Sequence, residues 1–197
     1  MQSNVCKINR GELDLRPLLE ETEKVAQYNE LSDKDSLSLR LLAEELVGML
    51  PFITSDFDGE FWIVNDGSYY ELCVRVFVES MDVATRDRLI DVSKDNRNSS
   101  ASGVFGKLRA IFDYMTMASN AGIISPAGKY GMATNIDFPQ MWSMREYEKS
   151  VKEKNGETTA KWDELERSIL NKIADDVIVG VKGQNVTIII KKNFAKQ

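Results

Sequence analysis

The spacing of apolar residues divides the chain into helical and extended segments. Apolar residues recur every three to four positions over 11–29 and 33–50, which predicts two helices near the start of the sequence. The interval falls to two over 60–65 and 69–79, which predicts two strands rich in β-branched and aromatic residues. The tetrapeptide NDGS between these strands is typical of a tight turn, so we expect a β-hairpin.

The segment 33–50 has the most regular helical pattern. Ser32 precedes it as an N-cap, Asp35 follows three residues later as in a capping box, and Pro51 marks the end. At about 100° per residue, Glu44 lies opposite the apolar stripe and Glu45 lies on its flank. The stripe consists of Leu39, Leu42, Leu46, Met49 and Leu50.

The rest of the chain alternates between helical patterns and polar or glycine-rich segments. Helical spacing predicts helices over 84–93, 104–117, 140–154 and 159–174, and we expect loops over 94–102 and 119–139. Strand patterns over 176–181 and 186–192 predict a closing hairpin. Because the strands come in hairpins, we expect an α+β fold, a two-layer sandwich of a mostly antiparallel mixed sheet with helices on one face.

Composition narrows the range of functions. The 197 residues include no histidine, which excludes a histidine-containing catalytic triad and any histidine-ligated metal. The two cysteines are too few for a thiolate zinc site, and Cys73, in a strand pattern, is expected to be a buried thiol. No metal-ligating cluster is predicted. A hydrophobic fraction of 43% is typical of a globular domain, and the length predicts a single domain over 1–197.

Charge and hydropathy give expectations about partners and location. The net charge of −6 does not favour binding to nucleic acid or to anionic membranes. The longest apolar runs, such as 186–190, are only as long as a strand. The first ten residues lack the apolar core of a signal peptide, so we expect a cytoplasmic protein.

Three short segments contain residues suited to chemistry. Either one of the carboxylates of Glu44 and Glu45 acts as a general base beside a ligand, or both residues belong to a solvated face of the helix. Gly103 and Gly106 precede a helix, where free backbone N–H groups bind phosphate, or they form a flexible loop in close contact with that helix. Lys107 would add positive charge to a phosphate site. The polar segment 94–98 is either a lid over a ligand or a solvated loop.

The order of these parts along the chain is a more specific indication of the protein class than any one part alone. An N-terminal helix is followed by a helix with the sequence LRLLAEELVGML, a hairpin, a polar loop, a glycine-marked helix SASGVFGKLRAIFDYM and a closing hairpin DDVIVGVKGQNVTIIIKK. This order resembles the histidine-kinase-like ATPase (GHKL) superfamily, and within it the bacterial anti-sigma-factor serine kinases. The resemblance covers residues 12–118 and 159–194, and it implies that 119–158 is a loop and helix insertion.

The resemblance assigns roles to several positions. Glu45 falls at the family's proposed general base, and Met49 falls where the family has an asparagine that helps to hold Mg²⁺. Gly103, Gly106 and Lys107 fall at the phosphate-binding motif. A thioether is a poor ligand for Mg²⁺, which binds hard oxygen ligands. The resemblance therefore implies a degenerate metal site.

The adenine-binding aspartate of the family has no exact counterpart in this chain. Its expected position is near Phe77 or Val78, at the end of the second strand, but no Asp-x-Gly-x-Gly motif follows. Asp82 is the nearest acidic residue, and it would need a shifted register to bind adenine. Asp66 with Gly67 is an alternative match, which is better explained by the hairpin turn.

The resemblance implies a regulatory ATP-binding-type domain with a degenerate nucleotide site. ATP and Mg²⁺ are the implied cofactors, and an active member would be an ATP-dependent serine kinase or ATPase that acts with a regulatory protein partner. The alternative is a nucleotide-independent protein–protein interaction module, whose sheet or whose apolar side chains between 140 and 174 contact the partner. These side chains are Met141, Trp142, Met144, Tyr147 and Trp162. A homodimer is compatible with either function.

Overall fold

The computed structural model describes residues 1–11, 14–50, 57–77, 140–145, 169–182 and 184–194. In chain order, the elements in these ranges are β1 (Cys6–Asn9), α1 (Arg16–Tyr28), α2 (Asp33–Gly48), β2 (Asp58–Asp66), β3 (Tyr69–Phe77), β4 (Gln140–Ser143), α3 (Ile169–Ile173), β5 (Asp176–Lys182) and β6 (Asn185–Asn193). The helices predicted over 84–93 and 104–117 lie outside the described residues.

The two long helices begin where the local sequence favours a helix start. α1 has Pro17 in its first turn, where the missing N–H costs no helical hydrogen bond. α2 follows Ser32, whose Oγ accepts a hydrogen bond from the backbone N–H of Asp35 at 3.2 Å and donates to the Asp35 carboxylate at 2.7 Å. The predicted N-cap is therefore confirmed. None of the helices in the described ranges is long and apolar enough to cross a membrane.

Both predicted hairpins that fall in the described ranges are present. β2 pairs with β3 from Asp58↔Phe77 to Asp66↔Tyr69, and β5 pairs with β6 from Asp176↔Lys191 to Lys182↔Asn185. Gly67 adopts a φ of +60° in the first turn. Glycine takes this conformation without the steric cost that a Cβ would add, which is why the NDGS sequence predicted the turn correctly.

The strands form one sheet in the order β1-β2-β3-β6-β5-β4, with every neighbouring pair antiparallel. The central pair is β3 with β6, in register from Tyr69↔Asn193 to Phe77↔Asn185. The predicted α+β class and the antiparallel character of the sheet are confirmed. The described strands include no parallel pair, which a mixed sheet would require.

One face of the sheet packs against the described helices and forms the main core. Leu72, Val74 and Val76 point to this face, as their alternation predicted, and they are buried with Leu42 of α2 and Leu170 of α3. Each such side chain contributes about 1.5–3 kcal/mol to stability by leaving water.

The opposite face of the sheet has a smaller apolar row of its own. Trp62, Cys73, Ile189 and Ile178 are register partners across four strands, and all are buried. The expectation of a buried thiol at Cys73 is confirmed, and burial raises the pKa of this thiol far above its ordinary value. Arg75 lies 5.2 Å from the centre of the Trp62 ring and extends the row with a cation–π contact.

The helix predicted over 140–154 is wrong at its start. Residues 140–143 form β4, which pairs with β5 from Gln140↔Val181 to Ser143↔Ile178. A short apolar run does not distinguish a strand from a helical turn, so pairing with a distant strand decides the structure here. The segment interpreted as an insertion therefore supplies an edge strand. Met144, a proposed partner contact, is a core residue instead.

β1, at the other edge of the sheet, was not predicted from the sequence. This strand pairs with β2 from Cys6↔Phe61 to Asn9↔Asp58, and only Ile8 in it is buried. The carboxylate of Glu21 on α1 anchors the segment before β1, because it accepts hydrogen bonds from the backbone N–H and the side-chain amide of Asn4, both at 2.9 Å. One buried apolar residue in four positions gives no period from which to predict a strand.

Replacing Gly59 with alanine will destabilise the sheet. A Cβ at this position would lie 2.4 Å from the carbonyl oxygen of Arg75 and 2.7 Å from a methyl group of Val76. Because that carbonyl belongs to a paired strand and cannot easily move aside, we expect the free energy of unfolding to fall by about 1–3 kcal/mol. Denaturant unfolding followed by circular dichroism measures the loss.

Gly48→Ala is the matched control for this substitution. A Cβ at Gly48 would meet nothing within 4 Å, and alanine is favoured over glycine in a helix by up to about 1 kcal/mol. Gly48→Ala should therefore leave stability unchanged or raise it. Equal losses in the two variants would contradict the close approach at Gly59.

Candidate functional site

The start of α2 lies beside the start of β3. Tyr70 has a raised pKa, mainly because it is buried and in part because the negative charge of Asp35 is nearby. Asp35 is in the first turn of α2, and the helix packs along β3 and β6. At about 1.5 Å per residue, α2 is about 24 Å long, which is comparable with the length of these strands.

Glu44, Glu45 and Met49 are in or directly after the last turn of α2, at the opposite end of the helix from Asp35. β3, the strand that the resemblance compares with the adenine-binding strand, ends at Phe77.

Glu44 belongs to an ion-pair network on the helix surface. The guanidinium of Arg40 donates to the Glu44 carboxylate at 3.2 Å and to the Glu23 carboxylate of α1 at 2.5 Å. Arg40 therefore bridges the two helices. Pairs of this exposure stabilise by about 0.3–0.5 kcal/mol each, so helix packing accounts for Glu44 without a catalytic role.

Glu45 has a different environment from its neighbour. Its side chain is half-buried, and no hydrogen bond or ion pair joins it to another residue in the described part of the chain. Burial raises the pKa of Glu45, and the charge of Glu44 raises it further. A carboxylate with a raised pKa accepts a proton more readily than an ordinary surface glutamate, which is what a general base requires.

Met49 is part of the main core. Its backbone N–H donates to the carbonyl oxygen of Glu45 at 3.0 Å, and its side chain is fully buried. The thioether offers no hard oxygen to Mg²⁺, and no group of three acidic or thiol side chains capable of holding a metal occurs among the described residues. The residues present do not fit a magnesium ion at this position.

The other predicted site residues do not join Glu45 in the described structure. Asp66 is exposed at the hairpin turn, beside the start of β3, which confirms its interpretation as a turn residue. Asp82, Gly103, Gly106 and Lys107 lie outside the described residues, as does the polar segment 94–98.

A polar cluster that fixes β4 to β5 was not foreseen from the sequence. The carboxylate of Asp176 accepts hydrogen bonds from the Oγ of Ser143 at 2.9 Å and from the backbone N–H groups of Arg145 and Val177 at 3.0 and 2.9 Å. The three donors lie at the end of β4, just after it, and near the start of β5, so they hold the two strands together. The local sequence could not reveal the cluster, because Ser143 and Asp176 meet only through the sheet.

Comparison with known proteins gives no family assignment. No protein-family model matches the chain, and no curated protein or solved structure matches it either. The function of the chain must therefore be argued from its own residues and from the order of its elements.

Glu45→Gln will stabilise the protein near pH 7. Because the pKa of Glu45 is higher in the folded state than in the unfolded state, the folded state binds more protons between the two values, and the wild type loses stability as the pH rises through this window. The glutamine variant has no carboxyl proton to lose and stays uncharged. Its advantage in the free energy of unfolding should be largest near pH 7 and shrink toward about pH 4.

Urea unfolding across this pH range measures the difference. Glu44→Gln is the matched control, because it weakens the Arg40 ion pair and should lower stability by about 0.3–0.5 kcal/mol. An advantage of Glu45→Gln that does not change with pH would contradict the environment described for Glu45.

Met49→Ala should lower the free energy of unfolding by about 2–5 kcal/mol, because it leaves a cavity in the core. Met49→Leu conserves the volume and should cost less than about 1.5 kcal/mol. Denaturant unfolding of the two variants measures both values. A loss below about 1 kcal/mol for the alanine variant would show that Met49 is not a core residue.

Proposed function

We propose that this chain is a regulatory domain of the histidine-kinase-like ATPase class with a degenerate nucleotide site. The observation that carries the proposal is the environment of Glu45: a half-buried carboxylate with a raised pKa, in the last turn of α2. The order of the described elements also supports it. Two helices, a hairpin and a closing hairpin follow one another as the resemblance requires.

The proposed domain binds a nucleotide but turns it over slowly or not at all. Glu45 would accept a proton from water or from the hydroxyl group of a partner's serine. Phosphoryl transfer also needs positive charge to offset the charge that develops on the phosphate oxygens. Met49 supplies no metal ligand for that purpose, so nucleotide binding is expected to regulate association with a protein partner.

Calorimetric titration of the full chain with ATP and with ADP tests this proposal. We expect dissociation constants between about 1 μM and 1 mM. Gly106→Trp should abolish binding, because it fills the proposed phosphate contact. Glu45→Gln should retain binding and remove any residual hydrolysis, and Gly48→Ala serves as a glycine control that leaves binding unchanged.

Absence of heat at millimolar nucleotide, from a protein whose circular dichroism shows it to be folded, would overturn the proposal. The nucleotide-independent interaction module would then be the better account. Its contacts would include exposed side chains such as Tyr28 and Tyr69, which are 76% and 63% exposed, rather than Met144. Alanine substitution at Tyr28 or Tyr69 should weaken partner binding in that case.

A further inference from the structure

We infer that the site at the end of α2 works without a divalent cation, so that any nucleotide it holds is bound metal-free. The nucleotide part of this inference rests on the proposed function, whereas the misfit between a cation and positions 44, 45 and 49 is argued from the described residues alone.

The side chain at position 49 is buried in the core and is not available to a cation. Residues 45 and 49 are one helical turn apart, and side chains with this spacing lie on the same face of a helix. The resemblance would give a cation held there an oxygen ligand at position 49, beside the carboxylate of Glu45. The Met49 side chain is instead fully buried with Leu46 and Leu50 in the main core. The position that would supply the second ligand has become part of the hydrophobic core.

The neighbouring carboxylate, Glu44, is already held in an ion pair. Glu44 is bound to Arg40, which also binds Glu23, so a cation at Glu44 would have to displace a guanidinium that joins two helices. Glu45 is then the only carboxylate on this turn available to a cation. Mg²⁺ gives up its water reluctantly, and one carboxylate without substrate phosphates holds it weakly.

Titration of the full chain with MnCl₂ alone, followed by electron paramagnetic resonance, tests the cation directly. Mn²⁺ prefers the same oxygen ligands as Mg²⁺ and gives a signal when it is free. We expect no saturable binding up to about 1 mM that depends on Glu45, so the wild type and Glu45→Gln should give the same titration. Saturable binding that Glu45→Gln abolishes and Glu44→Gln retains would overturn the inference.

A second titration, with ATP in excess Mg²⁺ and in excess chelator, tests the ligand. We expect the two dissociation constants to agree within about twofold. Binding that is tenfold or more tighter with Mg²⁺ in the wild type, but not in Glu45→Gln, would overturn the inference. If ATP binds in neither condition, the proposed function fails, and the MnCl₂ titration still decides whether Glu45 holds a cation.

Discussion

The pairing of β3 with β6 joins two hairpins that are far apart in the sequence, and the position of every other described element depends on it. Closing the long segment between them costs chain entropy. Burial of Leu72, Val74, Ile188 and Ile190 on one face, with Cys73 and Ile189 on the other, offsets that cost. Because α2 packs on both of these strands, the same contact also determines where Glu45 lies.

The elements that could be predicted from the sequence are those whose signals are local. The Ser32 cap, the stripe of α2 and the NDGS turn each act within a few residues, and each is found where it was expected. The edge strands β1 and β4 could not be predicted in this way. They are four residues long, and their extended conformation comes from hydrogen bonds to β2 and β5, which a local pattern does not contain.

The candidate site shows the same division between local and long-range information. The sequence identified both Glu44 and Glu45 as candidates and could not distinguish their roles. The packing of α1 on α2 distinguishes them, because Arg40 binds Glu44 and also reaches Glu23 across the helix interface. Met49 was assigned both to the apolar stripe and to a ligand position by resemblance. In the structure Met49 belongs to the apolar stripe. Its side chain is buried in the core, where it stabilises the fold and is not available to a cation.

The hydrogen bonds of Asp176 make residues 140–145 an integral part of the sheet rather than an appendage. A protein shortened by removal of 119–158 would lose β4 and two of the donors to this carboxylate, Ser143 Oγ and Arg145 N–H. The strand DVIVGVK would then present an open edge. Open edges of apolar, β-branched strands pair with other chains, so the shortened protein would tend to aggregate. Residues 140–143, which lie in the segment interpreted as an insertion, therefore cover the edge of β5 and protect the sheet from self-association.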